Sequence, residues 1–158
     1  MSKQDLERLA AAHPDGVVES HSAHGDDTAV VLGSHILPVM RWLRDSAGYD
    51  MLIDVTAVDY LGRDLRFEVV YHLRSMTSGH RLRVKVQLAE LDESVPPEVD
   101  SVVSLWPGAN WLEREVYDLY GIRFKDHPDL RRILLYEEFQ GHPLRKDYPK
   151  EKRQPLVR

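Results

Sequence analysis

The run HRLRVKVQLAE, residues 80–90, constrains the fold more than any other stretch of this chain. In it Leu82, Val84, Val86 and Leu88 alternate with Arg83, Lys85 and Gln87. A period of two puts the four aliphatic side chains on one side of a strand and the three polar ones on the other. A strand with one dry and one wet face belongs to a sheet covered on one side, which points to antiparallel pairing. Two further strand-like segments precede it, MLIDVTAVDY and RFEVVYHLRSM, joined by the short connection LGRD. Upstream, VVESHSAHGDDTAVVL reads as two short strands around a polar turn at Gly25–Asp27.

Helical patterns flank these strands. Ser2 is placed to cap a helix running to about Ala12, with Leu6, Leu9 and Ala10 on one side. Ser34 is placed to cap HILPVMRWLRDSAG, with Pro38 in the first turn and Gly48 at the end. Ile36, Val39, Met40 and Leu43 recur at helical spacing there and are expected in the core. A third helix is expected from about Pro97 to Trp106, aligning Val99, Val102, Val103 and Trp106, until Pro107–Gly108 breaks it. Asn110 and Glu113 then have the spacing of a capping box, and Gly121 ends the helix that follows. On that helix Leu112, Val116 and Leu119 form a narrow apolar stripe. Glu113, Arg114, Glu115 and Asp118 fill the rest as a solvated face, with Arg114–Asp118 an i,i+4 pair. The expected fold is therefore α+β, an antiparallel sheet of four to five strands with helices packed on one face.

After Gly121 the periodicity fails. Pro128, Pro143 and Pro149 each remove a backbone donor and bias the preceding residue to an extended form. Yet Ile133, Leu134, Leu135, Tyr136, Phe139, Leu144 and Tyr148 make the segment too apolar for a disordered tail. Charge changes at the same point. Residues 1–121 carry 11 Lys/Arg against 20 Asp/Glu, whereas residues 122–158 carry 10 against 6. The expected division is thus a compact α/β domain over 1–121 and an extended, basic docking arm over 122–158. Because the sheet and helices look complete without the arm, it is assigned to a partner's surface.

At 158 residues the chain reads as one domain. It has no cysteine, which excludes disulfides, thiolate metal sites and a cysteine nucleophile. It contains no run of 18 apolar residues and no signal-like apolar core near its start, so the cytoplasm is the expected compartment. Glu113, Glu115, Asp118 and His127 are the densest candidate acid/base set, and a free-standing hydrolase would use Glu115, Asp118 and His127. His21 and His24 lack further ligands at a recognisable spacing, and Gly141 and Pro143 argue against a helical Glu138–His142 pair. There is no HExxH, glycine-rich phosphate loop or G-x-S-x-G. Nucleic-acid binding through Arg131, Arg132, Arg145, Lys146, Lys150, Lys152 and Arg153 is opposed by the acidic body.

The stretch EREVYDLYGIRFKDHPDLRRILLYEEFQGHPLRKDYP closely resembles the signature of the thirty-kilodalton subunit family of respiratory complex I, the bacterial type I NADH:quinone oxidoreductase. The likeness runs from about Trp106 to Pro149 and also takes in Gly121, Pro128, Gly141, Pro143 and Leu144. YDMLIDVTAVDYLGRDLRFEVVYHLRS is similar to the family's α/β domain. The resemblance implies a non-catalytic structural subunit of the hydrophilic arm, without flavin, iron–sulfur cluster or nucleotide, peripheral on the cytoplasmic side of the inner membrane. It implies docking on the quinone-site subunit, a relative of the large hydrogenase subunit, and contact with neighbouring hydrophilic-arm subunits. A homologous subunit of a membrane-bound hydrogenase or related ion-pumping oxidoreductase is the alternative. The docking residues it implies are Glu113, Arg114, Glu115, Asp118, His127, Arg131, Arg132, Ile133, Tyr136, Phe139, Arg145, Lys146, Asp147 and Tyr148. Arg131, Arg132, Arg145 and Lys146 would pair with partner carboxylates or carbonyls, and Ile133, Leu134, Tyr136 and Phe139 would fill partner pockets.

Overall fold

Leu82, Val84, Val86 and Leu88 are all buried, and Arg83, Lys85 and Gln87 between them are not. The computed structural model describes residues 3–92 and 94–156. Its elements are α1 (Lys3–Ala12), β1 (Val17–Ala23), β2 (Asp26–Val31), a 3-10 turn (Gly33–His35), α2 (Ile36–Asp45), β3 (Met51–Asp59), β4 (Phe67–Arg74), β5 (Arg81–Leu88), β6 (Glu98–Asp100), α3 (Ala109–Tyr120) and β7 (Arg123–Lys125). The cap expected at Ser2 lies outside the described residues. Ser34 falls in the 3-10 turn, so His35 precedes α2 without a side-chain cap.

Five strands form one sheet in the order β1-β2-β5-β4-β3. Pairing is antiparallel except between β2 and β5, which run parallel, so the sheet is mixed where a purely antiparallel one was expected. The cause is α2. A helix between β2 and β3 carries the chain across the sheet and returns it in the same direction. The β3–β4–β5 meander then fills the gap back to β2. A single alternating strand cannot report the direction of a neighbour 55 residues away. At the other end β1 and β2 are joined by His24 and Gly25, both at positive φ (55° and 87°), the geometry of a tight hairpin turn.

Register fixes the inner face. Phe67, Val69, Tyr71 and Leu73 of β4 oppose Leu88, Val86, Val84 and Leu82 of β5, while Val55 and Ala57 of β3 oppose Tyr71 and Val69. Ile36, Val39, Met40 and Leu43 of α2 are fully buried against this face, as their spacing required.

The helix expected over 97–106 is not formed. Pro96 and Pro97 bias the chain to an extended form, Glu98–Asp100 is a strand, and it pairs in parallel with β7. Val99, Val102, Leu105 and Trp106 are buried from this irregular backbone just as a helical face would have been. Ile122 and Phe124 also join the core, so the chain leaves it at about Lys125 rather than at Gly121.

Candidate docking face

α3 places its polar residues in the interior. Ala109, Glu113, Val116, Arg114 and Asp118 are all buried along it, while Leu112 and Leu119 are only half-buried. The capping box is absent: Gly108 precedes the helix and Asn110 lies within it. Glu113 instead accepts from Ser101 Oγ–H (2.6 Å) and Val102 N–H (2.7 Å), tying the end of β6 to the helix. Burial pushes its carboxyl up to about 7, although those two donors pull the other way. His127, its ring buried, donates from Nε2 to Asn110 O (3.2 Å) and accepts Asp129 N–H at Nδ1 (3.0 Å). Burial holds it below the usual histidine range, which fits that neutral tautomer.

Asp118 is the hub. Its fully buried carboxylate accepts Ile133, Leu134 and Leu135 N–H (3.1, 2.8 and 2.9 Å) and Arg132 Nη1 (2.7 Å). Burial alone would raise its pKa, but the three amides and the guanidinium outweigh it and hold the carboxyl below its ordinary value. The expected Arg114–Asp118 pair is not made. Arg114 turns to the carbonyls of Arg131 and Arg132 (3.1 Å each).

The arm also caps α3. A helix leaves its last four carbonyls without helical partners. Here Tyr117 O takes Gly121 N–H, Asp118 O takes His142 Nδ1–H, Leu119 O takes Leu144 N–H and Tyr120 O takes Arg145 Nε–H. Gly121 is required at this junction. Its φ is 74°, and a Cβ there would stand 2.6 Å from the His142 ring. Arg145, a cation at a helix C-terminus, adds a favourable dipole interaction.

A second anchorage lies at the sheet. Arg66 grips both Asp59 oxygens (2.9 Å each), Glu90 (2.6 Å) and Asp147 (2.8 Å). Arg145 takes the other Glu90 oxygen (2.7 Å), and Lys146 N–H donates to Asp59 (2.8 Å). Both guanidinium groups lie over the Phe67 ring, at 4.8 and 5.0 Å. Burial opposes ionisation of Asp59, yet Arg66 and the Lys146 amide keep its pKa below the ordinary value.

The arginines expected to meet a partner therefore meet this chain first. Arg132 and Arg145 satisfy Asp118, Glu90 and the end of α3, and Asp147 satisfies Arg66. The reason is proximity: buried carboxylates and a helix end need donors, and the arm supplies them. Arg131 is exposed beside Asp129, while Glu115 and the Lys146 side chain face solvent. Tyr136, Phe139 and Tyr148 pack on one another instead of projecting as separate anchors, with ring centroids 5.6 and 6.2 Å apart along the series. Arg132 lies over Phe139, and Gln154 bonds Tyr148 and Gln140. Ile133 is half-buried.

On α3 and the part of the arm that it seats, Trp111 (64% exposed), Leu134 (62%) and Leu144 (49%) are turned outward. Arg114 lies 5.7 Å over Trp111 and holds the arm's backbone at 131–132, two residues before Leu134. Beside it Tyr117, Leu130, Arg131, Arg132, Leu135 and Glu137 line an open groove of about 410 Å³. Sequence reasoning missed Asp59, Arg66, Glu90 and Ser101. A signal existed for Asp59, which is in phase with buried Val55 and Ala57, and for Glu113, in phase with Ala109 and Val116. Glu115, Asp118 and His127 are not brought into one hydrogen-bonded set. Among the described residues no group of three or more His, Asp or Glu could hold a metal, and no helix is long and apolar enough to cross a membrane.

These features define an α+β domain whose C-terminal arm is bound to it by polar groups and frames an exposed apolar face. The chain belongs to the family of the respiratory-chain NADH dehydrogenase 30 Kd subunit, whose model matches residues 29–154. It is 48% identical to the NADH-quinone oxidoreductase C subunit of Citrifermentans bemidjiense, over 90% of this chain and 86% of that one. It is 51% identical to the equally named protein of Hyphomonas neptunium, over 94% and 74%. Among solved structures it is similar to the trypsin-resistant fragment (1–134) of Nqo5, with TM-score 0.68 and 33% identity over 81% of this chain and 98% of that one. A chain of the archaeal membrane-bound sulfane sulfur reductase shares the fold, with TM-score 0.78 and 23% identity over 95% and 86%.

Proposed function

We propose that this chain is a structural subunit of a proton-translocating NADH:quinone oxidoreductase, without a redox centre of its own. It docks on the quinone-site subunit, peripherally on the cytoplasmic side of the inner membrane. The carrying observation is that Trp111 on α3 and Leu134 on the arm are both exposed where Arg114 and Asp118 hold the arm to that helix. Exposed tryptophan beside a groove is the composition of an interface centre, not of an ordinary solvated surface. Two further points support the reading. Arg114 and Asp118 are spent on holding the arm and Glu113 on the end of β6, which suits a structural role. A relative's trypsin-resistant fragment is similar over 81% of this chain, in keeping with a compact body. The relatives at 48% and 51% identity bear the name of an NADH-quinone oxidoreductase, which favours the NADH-linked complex over a sister complex.

The test is the double variant Trp111→Ser, Leu134→Ser, tagged at its N-terminus and isolated from membranes in mild detergent. Both side chains are exposed, so the thermal melt should be unchanged. Truncating interface anchors typically costs about 2 kcal/mol or more each, so recovery with the quinone-site subunit and NADH-to-quinone activity should collapse. Undiminished recovery of an active particle would place the docking face elsewhere.

A further inference from the structure

Beyond His127 every described residue keeps part of its surface exposed, so the arm from there on adds no fully buried residue to the core. Leu130 packs on the core, but from 131 on the attachment is mainly polar: Asp118 to three amides and Arg132, Arg114 to two carbonyls, the end of α3 to His142, Leu144 and Arg145, and the Arg66–Asp59–Glu90 group to Arg145, Lys146 and Asp147. Water can replace each of these bonds at small net cost, whereas it cannot replace buried apolar contacts. Ordering the arm's backbone opposes closure. The sheet, by contrast, is held by an apolar core to which residues 131–156 contribute no fully buried side chain.

We propose that residues 131–156 form a strap that opens and closes as one unit on a body that stays folded, with Asp118 as its catch. Closing seats three consecutive amides, Ile133 to Leu135, on one carboxylate and so sets the outward direction of Leu134. Opening returns Asp118, Glu90 and the last carbonyls of α3 to water. A partner that grips the closed face binds that state alone and therefore draws the strap shut. The strap opens and closes in this way whichever subunit the face meets.

Hydrogen–deuterium exchange of the intact chain, read by mass spectrometry, tests it. Peptides over Ile133–Leu135 should exchange at least about tenfold faster than β4 and β5, because local opening lies below global unfolding. Their rate should rise with added salt, since the ion pairs of the strap are partly exposed. Arg132→Gln removes, from the arm side, the charged hydrogen bond to Asp118 together with the bond from the same guanidinium to Gly141 O, and should speed these amides by about tenfold with β4 and β5 unchanged. Asp118→Asn should act in the same direction and more strongly. Three results would overturn the proposal: equal rates and equal denaturant dependence for 133–135 and β4, acceleration of both together in Arg132→Gln, or no change beyond about twofold in that variant. A failure of docking in the Trp111/Leu134 variant would leave these rates untouched, so the two readings fail separately.

Discussion

The body and the arm close over the same helix by opposite means. In the body, Phe67, Val69, Tyr71 and Leu73 of β4 have no exposed surface, and the cohesion is apolar and undirected. In the arm beyond His127 no described residue is fully buried, and cohesion comes from directed bonds to Asp118, Asp59, Glu90 and the end of α3. Apolar burial fixes that the sheet folds, but it tolerates many exact geometries. Directed bonds add little net stability yet fix where each backbone atom sits. A scaffold suits the first kind of cohesion, and a surface that must present Leu134 and Trp111 at set positions suits the second.

Variants can break this contrast from either side. The largest effect is expected in the core. Leu43→Ala deletes a fully buried side chain from α2 and should cost about 2–5 kcal/mol. A chemical melt should show body and arm lost together, because the arm has nowhere to bind without the body. A melt in which the arm signal survives would contradict that dependence.

Next is Glu113, the charge set inside the apolar stripe of α3. Its folded pKa of about 7 lies above the ordinary 4.5, so its contribution to stability is full below pH 4.5 and is lost as pH rises through about 7. Stability should therefore fall over that window by up to about 3 kcal/mol, and Glu113→Gln should remove the slope. Urea melts between about pH 5 and about pH 8 read this directly. A slope that persists in the variant would assign it to another group.

Smaller still is Tyr71→Phe. The Tyr71 hydroxyl is buried with no hydrogen-bond partner among the described residues, and burial together with Glu113 and Asp100 pushes its pKa well above 10. Removing it should be neutral or stabilising by up to about 1 kcal/mol; a clear loss of stability would reveal a partner. The smallest effect belongs to Arg131, whose side chain is 72% exposed beside a half-exposed Asp129. Arg131→Ala should move the melt by less than about 0.5 kcal/mol, even though its neighbour Arg132 matters to the strap.

The difference between the regions also explains what could be read from the sequence. Period-two runs and the Ile36, Val39, Met40, Leu43 stripe record burial directly, so strands and α2 were legible. The parallel β2–β5 contact was not, because direction depends on the α2 crossover and not on either strand's pattern. The region 97–106 misled for a related reason. Val99, Val102 and Trp106 are buried, but helical spacing over ten residues does not outweigh two prolines. The arm was visible as a break in periodicity with retained apolar residues, and α3 as the helix beside it. Its seat was hidden because Asp118 and Glu113 look like solvated helix charges until their partners, 14–17 residues on in one case and 11–12 back in the other, are brought to them by the fold.

The most direct test of the α3–arm face is a photo-cross-link from position 134 in the assembled particle. A benzophenone side chain in place of Leu134, activated in membranes carrying the intact complex, should give one main product joining this chain to the quinone-site subunit. A particle that assembles and turns over normally but yields no inter-subunit product from that position would contradict the account.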